Sequence, residues 1–212
     1  MLIPFNELFA RHNIKTPGVL HLGANTGQEA AAYAAQGIKN VIWVEALPVV
    51  HAALVRHIAP YPGSTALLAC VSDKDGETVA FNVASNGGQS SSFLQFGTHA
   101  VEHPDCKFVN QITMTTTRVD TLLAKHKLAV GPGWFLNVDL QGAELLALKG
   151  MDGLLHQFDH AYVEVNVRHL YKGCPLAPEI ADYLARYGFQ AQETRMMKQG
   201  WGDCYYKRVR WV

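Results

Sequence analysis

The sequence has little of what secreted, membrane-spanning or zinc-binding proteins depend on. Its four cysteines, Cys70, Cys106, Cys174 and Cys204, include no pair spaced for a CxxC zinc or redox motif. Its ten histidines include no HxH pair and no HExxH motif, so we expect no bound metal. Residues 1–6 lack the layout of a signal peptide, and no apolar run approaches the roughly 18 residues of a membrane span. These absences favour a cytoplasmic protein.

An excess of charge of either sign is also absent, because 18 lysines and arginines balance 18 aspartates and glutamates. A net charge near zero gives no argument for a nucleic-acid-binding surface. Hydrophobic residues make up 49% of the 212 residues and charged residues 17%, which is typical of a globular chain. This length suits one domain, here residues 1–212, and is enough to bury a core without disulfides.

Strands and helices are predicted to alternate along most of the chain. The near-continuous apolar runs are typical of strands that are buried on both faces of a parallel sheet. The predicted strands are residues 18–22, 41–45, 65–71, 134–139, 161–165, 189–192 and 205–209. The predicted helices are residues 27–36, 48–57, 142–149 and 178–187. This order predicts a doubly wound α/β fold whose last two strands form an antiparallel pair.

One segment, residues 76–117, breaks the alternation because it is rich in threonine, serine, asparagine and valine. Three stretches in it predict short strands, namely ETVAFNV at 77–83, SSSFLQF at 90–96 and ITMTTT at 112–117. We interpret the segment as a β-rich insertion after the third strand. Long polar insertions of this kind often carry function.

The first predicted strand ends in a glycine loop, HLGANTGQ at residues 21–28, for which three ligands compete. A phosphate-binding P-loop would need Gly-Lys-Ser/Thr, but Gly27 is followed by glutamine and glutamate. A dinucleotide loop would need GxGxxG, and counted from Gly23 the next two glycine positions hold Asn25 and Gln28. S-adenosylmethionine has no phosphate and needs only a close backbone turn, which glycines permit. The loop therefore favours S-adenosylmethionine over NAD.

The ends of the next two strands carry polar residues that suit an adenosine. Glu45 ends the second strand, where a carboxylate can accept hydrogen bonds from both ribose hydroxyls of S-adenosylmethionine or of NAD. Ser72 and Asp73 follow the third strand, where class I methyltransferases contact the adenine. A plain turn explains these two residues equally well.

A second motif, NVDLQGAE at residues 137–144, follows a later apolar strand. The strand delivers Asp139 to its carboxyl end, which faces the ligand crevice of a doubly wound sheet. An aspartate there is either a catalytic or binding group, or the N-cap of the next helix. The residues alone leave both roles open.

Together and in this order, the two motifs resemble the FkbM family of S-adenosylmethionine-dependent methyltransferases. The matching segments are HLGANTGQ at 21–28, VEALP at 44–48, ACVSDKDGE at 69–77, SSSFL at 90–94, TRVDTLL at 117–123, NVDLQGAELLALKGM at 137–151 and VEVNVRHLYKG at 163–173. The resemblance implies a class I, Rossmann-like fold with a seven-stranded sheet and an antiparallel final strand. It also implies S-adenosylmethionine as cofactor and O-methylation of a sugar, a glycan or a glycosylated natural product. The expected partner is thus a small-molecule or glycan acceptor, not a nucleic acid.

Two residues depart from the pattern that the resemblance implies. His21 stands where an acidic residue usually helps to hold the methionine ammonium group, so it is either a cofactor contact or a core histidine. Asn137 stands where a lysine is common, and the charge of that lysine is lost. A relative that binds the cofactor without catalysis is therefore an alternative to the enzyme, as is an NAD-dependent oxidoreductase on a similar fold.

The candidate site residues follow from the strand ends and from the resemblance. An alcohol must lose its proton to accept a methyl group, and a positioned base contributes a factor of roughly 10²–10⁴. The candidate catalytic residues are Asp139, Glu164 and His169. The candidate cofactor-binding residues are His21, Gly23, Ala24, Asn25, Gly27, Gln28, Glu45, Ala46, Ser72, Asp73 and Asp139. The candidate substrate-binding residues are Ser91, Ser92, Gln141 and Glu144. Purely structural roles stay open for Glu164, His169 and the serines.

Overall fold

The structure of the protein is a computed structural model that describes residues 2–209, so residues 1 and 210–212 of the predicted domain lie outside the described residues. The strands are β1 Gly18–Leu22, β2 Asn40–Glu45, β3 Ser64–Leu68, β4 Cys70–Val71, β5 Thr78–Ala84, β6 Phe108–Thr117, β7 Trp134–Val138, β8 Phe158–Asn166, β9 Phe189–Met196 and β10 Trp201–Arg208. The helices are α1 Phe5–His12, α2 Ala30–Ala35, α3 Pro48–Ile58, α4 His99–Glu102, α5 Val119–Lys125, α6 Glu144–Lys149 and α7 Ala177–Ala185, with a 3₁₀ turn at Asp152–Gln157. Within the described chain, every helix falls short of the length and apolar character that a bilayer crossing requires.

Seven of the described strands form the main sheet, in the order β3-β2-β1-β7-β8-β10-β9. The five strands from β3 to β8 are parallel, and β10 is antiparallel to both of its neighbours. This arrangement confirms the predicted seven-stranded, mostly parallel sheet with an antiparallel final strand. The strand order reverses between β1 and β7, and ligands of such sheets bind beyond the carboxyl ends of the strands at this point.

The central strands form because their side chains are buried on both faces of the sheet. Every residue of β1 and of β7 is buried. On one face Leu20 and Leu136 pack into a core with α5, α6 and α7, and on the other face Val19 and Phe135 pack against α1 and α2. Burial of each such side chain contributes about 1.5–3 kcal/mol. The two cores fix the ends of β1 and β7 side by side, which positions the loops that follow them.

The prediction of one continuous third strand over residues 65–71 is wrong. The chain leaves the main sheet after Leu68, and Cys70–Val71 pairs instead with β6 of the insertion. The reason is that β2 ends at Glu45, whose carbonyl accepts the last main-sheet hydrogen bond from the backbone N–H of Ala69 at 3.0 Å. Beyond that point the strand gains a partner only by turning to β6.

The insertion forms a second sheet of three described strands, in the order β4-β6-β5. Two of its three predicted strands are present, as β5 and β6, but the predicted strand at 90–96 makes only isolated bridges and is wrong. The serine hydroxyls there bind local backbone groups: Ala84 N donates to Ser91 Oγ at 2.9 Å, and Leu94 N donates to Ser92 Oγ at 3.1 Å. Such side-chain bonds compete with strand pairing. The short helix α4 was not predicted.

Candidate active site

A cavity of about 460 Å³ lies over the carboxyl ends of β1, β2, β7 and β8. The glycine loop after β1 lines one part of it, and the insertion lines another. The candidate residues that line the cavity are His21, Gly23, Ala24, Asn25, Gln28, Glu45, Ala46, Ser91, Asp139, Gln141 and Glu164. The candidates outside its lining are Gly27, Ser72, Asp73, Ser92, Glu144 and His169. The structure thus brings most of the candidate residues to one place.

Two glycines of the first loop are required by packing inside the protein. Gly23 has φ +81°, and a Cβ there would lie 1.7 Å from the carbonyl oxygen of Asp139. The loops after β1 and β7 therefore touch through backbone alone, which brings Asp139 beside the glycine loop. Gly27 has φ +77° and lies beneath α3, where a Cβ would come within 2.7 Å of Leu54. Asn25 has φ 45°, in the left-handed region that asparagine tolerates better than most residues.

Glu45 at the end of β2 is held by backbone groups on both carboxylate oxygens. Leu47 N donates to Oε1 at 2.8 Å, and Asn25 N donates to Oε2 at 2.9 Å. Burial raises the pKa of Glu45, although these backbone hydrogen bonds oppose the shift. Each oxygen still has a lone pair for one further donor. A buried carboxylate at a strand end that can accept two more hydrogen bonds fits the vicinal hydroxyls of a ribose.

The two residues that depart from the family pattern belong to one hydrogen-bonded chain. Asn137 Nδ2 donates to the hydroxyl oxygen of Tyr33 at 2.9 Å, and Tyr33 OH lies 3.1 Å from His21 Nδ1. The Tyr33 proton is then available to His21 Nδ1, which makes Nδ1 the acceptor and leaves the ring proton on Nε2. Burial lowers the pKa of His21, so its ring is neutral. An uncharged network thus occupies the place where an acid and a lysine were expected.

The third strand end meets the cavity through apolar residues. Ala69, Cys70 and Val71 line the cavity there. Ser72 is buried, and its hydroxyl donates to Asp73 Oδ1 at 3.2 Å instead of facing the cavity. An apolar wall at this position suits the face of an adenine ring. Ser72 and Asp73, which were predicted to contact the adenine, both lie outside the lining of the cavity.

Two carboxyl groups, Asp139 after β7 and Glu164 in β8, are joined by Gln141. Gln141 Nε2 donates to Asp139 Oδ1 and to Glu164 Oε2, both at 2.6 Å. Tyr171 OH donates to Gln141 Oε1 at 2.7 Å. The Tyr171 hydroxyl also lies 3.2 Å from the Ser90 carbonyl oxygen, and the carboxyl groups are suitable acceptors for the amide nitrogen of Gln141. Gln141 has φ 53°, a strained conformation for a residue with a Cβ and one that is common at functional sites.

The two carboxyl groups differ in their environment. Glu164 is buried, and burial raises its pKa well above the ordinary value, with the charge of Asp139 and a hydrogen bond between the two groups raising it further. Burial and the neighbouring Asp139 therefore favour the protonated form of Glu164 over its ionised form. Asp139 is only half-buried and lines the cavity. Asp139 is thus the group of the pair that is placed to accept a proton from a ligand in the cavity.

Glu144 is a structural residue of the same motif. Its side chain is fully buried outside the cavity, and Oε1 accepts hydrogen bonds from Leu140 N at 2.9 Å and Gly142 N at 3.0 Å. Burial raises its pKa to about 7. These bonds fix the turn that carries Gln141, so Glu144 shapes the site without contacting a ligand.

His169 lies away from the cavity. Its ring is exposed, and Nδ1 lies 3.0 Å from the carbonyl oxygen of Cys174. The neighbouring Tyr171, in the same loop, reaches the cavity instead. The loop has no regular secondary structure, so its sequence does not indicate whether the side chain of His169 or that of Tyr171 points into the cavity.

The sequence reasoning missed several residues that line the cavity. Asp203 in β10 lies directly opposite Glu164 in the sheet register and accepts a hydrogen bond from Tyr162 OH at 2.6 Å. A single acid in the otherwise apolar stretch GDCYY was a signal that could have identified it. The insertion and the loops near it contribute further lining residues: Phe81, Asn86, Gln89, Phe93, His99, His103 and Cys106.

Comparison with known proteins places this geometry in a family. A model of the FkbM methyltransferase domain matches residues 21–191. No curated protein matches the chain. A candidate tRNA (m1A22) methyltransferase of Streptococcus pneumoniae, solved with S-adenosyl-L-methionine, is 13% identical with a TM-score of 0.51, and the match covers 100% of this chain and 76% of that one. A protein of the NADB-Rossmann superfamily from Streptococcus agalactiae is 8% identical with a TM-score of 0.51, over 100% of this chain and 72% of that one. These two structures share the fold.

Proposed function

We propose, since this chain belongs to the FkbM methyltransferase family, that it methylates a hydroxyl group of a sugar, a glycan or a glycosylated natural product. The chain is a methyltransferase, and its cofactor is S-adenosylmethionine. The observation that carries the proposal is the position of Asp139. It lines the same cavity as the ribose-binding candidate Glu45 and the polar residues of the insertion. A base in a cavity shared by the cofactor loop and the insertion suits methyl transfer to a hydroxyl oxygen, which must lose its proton.

The residues of the cavity would hold the cofactor by its ribose and its adenine. Glu45 would accept hydrogen bonds from the ribose hydroxyls, and Ala69 and Val71 would pack against the adenine. His21 would donate a hydrogen bond from Nε2 to the carboxylate of the methionine end, whereas the usual acidic residue accepts one from the ammonium group. When bound, S-adenosylmethionine supplies a methyl group that is activated for transfer by its sulfonium.

Asp139 would act as the general base. Asp139 is the better placed of the two carboxyl groups, because burial favours the protonated form of Glu164, whereas Asp139 is half-buried and faces the cavity. The acceptor hydroxyl would give its proton to Asp139 as its oxygen gains the methyl group. Gln141 would position the carboxylate through the 2.6 Å bond to Oδ1. Alignment of the acceptor oxygen and proton removal are the two contributions that the chain makes.

The acceptor would bind between the insertion and Asp139. Asn86, Gln89, Ser90 and Ser91 supply amide and hydroxyl groups on the insertion side, and Phe93 supplies an aromatic face. Sugars present hydroxyl groups around an apolar ring face. The amides and serine hydroxyls of the cavity suit the sugar hydroxyls, and the ring of Phe93 suits the apolar face. The serines therefore support a sugar acceptor through the cavity they line, except Ser92, which lies outside its lining.

Methyl transfer to a panel of sugars tests the proposal. The protein is incubated with methyl-labelled S-adenosylmethionine and a panel of methyl glycosides and oligosaccharides, and the products are analysed by mass spectrometry and NMR. We expect label on a sugar oxygen. Asp73→Asn is the matched control, because Asp73 was a cofactor candidate that lies outside the cavity lining, and it should transfer at the wild-type rate. Label found on nitrogen or carbon acceptors, with none on sugar oxygens, would contradict the proposal.

We further propose that the protein works in the cytoplasm. Its four cysteines are free thiols and three of them are buried, which suits a reducing compartment. Cell fractionation should recover it with cytoplasmic enzymes, and recovery in a secreted fraction would contradict this location.

A further inference from the structure

The cavity offers an anion no permanently cationic side chain. Among the described residues that line it there is no lysine or arginine. Phosphate, sulfate and carboxylate groups are normally held by these two side chains or by free backbone N–H groups. The acids that line the cavity are Glu29, Glu45, Asp139, Glu164 and Asp203. An anionic ligand would therefore meet like charge and no opposite charge.

Several backbone N–H groups beside the cavity are already bonded within the protein. In the glycine loop, Gly23 N and Ala24 N donate to the Val44 carbonyl, each at 2.9 Å, and Asn25 N donates to Glu45. In the insertion, Ser90 N donates to Asn86 Oδ1 at 3.1 Å, and Ser91 N donates to the Gly88 carbonyl at 3.1 Å. These five donors are therefore already used within the protein.

Two histidines of the cavity, His21 and His99, have pKa values shifted toward the neutral form. Burial lowers the pKa of His21, and burial together with the nearby His103 lowers the pKa of His99 to about 4. His99 is also stacked on Phe96, with 4.1 Å between ring centroids. His99 therefore gives the insertion side an aromatic surface that favours the uncharged ring.

We propose that the cavity selects an acceptor whose bound part carries no anionic group, namely an uncharged sugar ring. It would reject nucleotide-linked, phosphorylated and carboxylated sugars, and nucleic acids. This inference rests on the proposed function and adds the charge of the acceptor to it. A sugar loses its nucleotide carrier when it is transferred to an acceptor, so the class of reaction that supplies this substrate is glycosyl transfer.

Binding to the full chain saturated with S-adenosylhomocysteine tests the inference directly. Calorimetry compares methyl α-glucoside and methyl α-mannoside with glucose 1-phosphate, mannose 1-phosphate and UDP-glucose. We expect each anionic probe to bind at least tenfold more weakly than the matched neutral glycoside. Equal or tighter binding of any anionic probe by the wild-type protein would overturn the inference.

A variant that adds one positive charge makes the test sharper. Gln89 lines the cavity from the insertion and is exposed, so a longer cationic side chain is tolerated there. Gln89→Lys should gain at least tenfold affinity for glucose 1-phosphate, and Gln89→Met, of similar length without charge, should gain none. Equal affinities of the two variants would count against the inference. If the neutral glycosides bind but none is methylated, the proposed function fails while the charge preference stands.

Discussion

The buried Glu144 makes the stability of the fold depend on pH. Burial raises its pKa from an ordinary value of 4.5 to about 7. In the folded protein the ionised form is therefore the unfavourable one. Below pH 4.5 both the folded and the unfolded states hold the proton, and this residue has no effect. Between pH 4.5 and 7 only the unfolded chain releases it, so the free energy of unfolding falls as the pH rises.

The size of the effect follows from the shift in pKa. Each unit is worth about 1.4 kcal/mol, so the full shift costs about 3 kcal/mol once the pH exceeds 7. Glu144→Gln keeps the oxygen that accepts hydrogen bonds from Leu140 and Gly142, but it cannot ionise. The variant should thus lose the pH dependence that this residue causes without losing the turn.

Urea unfolding of the wild type and of Glu144→Gln at pH 5, 6, 7 and 8 measures the effect. Between pH 5 and pH 8 the free energy of unfolding of Glu144→Gln should rise relative to that of the wild type by about 2.5 kcal/mol, because part of the full loss has already occurred at pH 5. Glu7→Gln is the matched control for the loss of one carboxyl group, because the Glu7 side chain is 52% exposed. A constant difference between Glu144→Gln and the wild type would refute the reasoning.

Three further predictions follow from the geometry of the site. Glu45→Gln should weaken S-adenosylhomocysteine binding about 10- to 100-fold in calorimetry, because the NH₂ group of the new amide would face one of the two backbone N–H donors. An unchanged affinity would contradict the assignment of Glu45 to the ribose. Gly23→Ala should prevent folding, because its Cβ would lie 1.7 Å from a carbonyl oxygen in the loop after β7. Gly37→Ala is the control, because Gly37 also has a positive φ, +74°, but nothing lies within 4 Å of the added Cβ. Gly37→Ala should lower the free energy of unfolding in urea by about 1–2 kcal/mol. Tyr171→Phe should release Gln141, lowering kcat about tenfold and shifting its pH profile while the affinity for S-adenosylhomocysteine is kept; an unaltered pH profile would contradict the positioning role.

The parallel sheet could be predicted because its strands are long apolar runs that need two covering layers. The Glu45 and Asp139 positions followed from the same runs, since carboxyl ends of parallel strands share one edge. The break after Leu68 could not be predicted, because it depends on pairing with β6 some forty residues later. Asp203 reaches the cavity only because β10 enters the sheet beside β8, and local sequence does not encode that neighbour.

Side-chain direction at the ends of elements was the other limit. Ser72 and His169 were assigned by their distance from a strand end, but a strand end does not fix which side chain turns inward. Tyr171, two residues after His169, has its hydroxyl on Gln141 because the loop folds back beneath the insertion. The triplet of serines suggested a strand by composition, and its hydroxyls were instead used to close a turn.

The role of Asp139 is tested most directly by the single-turnover rate of methyl transfer from S-adenosylmethionine by the wild type and by Asp139→Asn. The acceptor is a neutral glycoside that the wild type methylates. The variant should transfer roughly 10²–10⁴-fold more slowly, with an affinity for S-adenosylhomocysteine within about twofold of the wild type. A variant that binds the cofactor normally and transfers at the wild-type rate would contradict the assignment of Asp139 as the base.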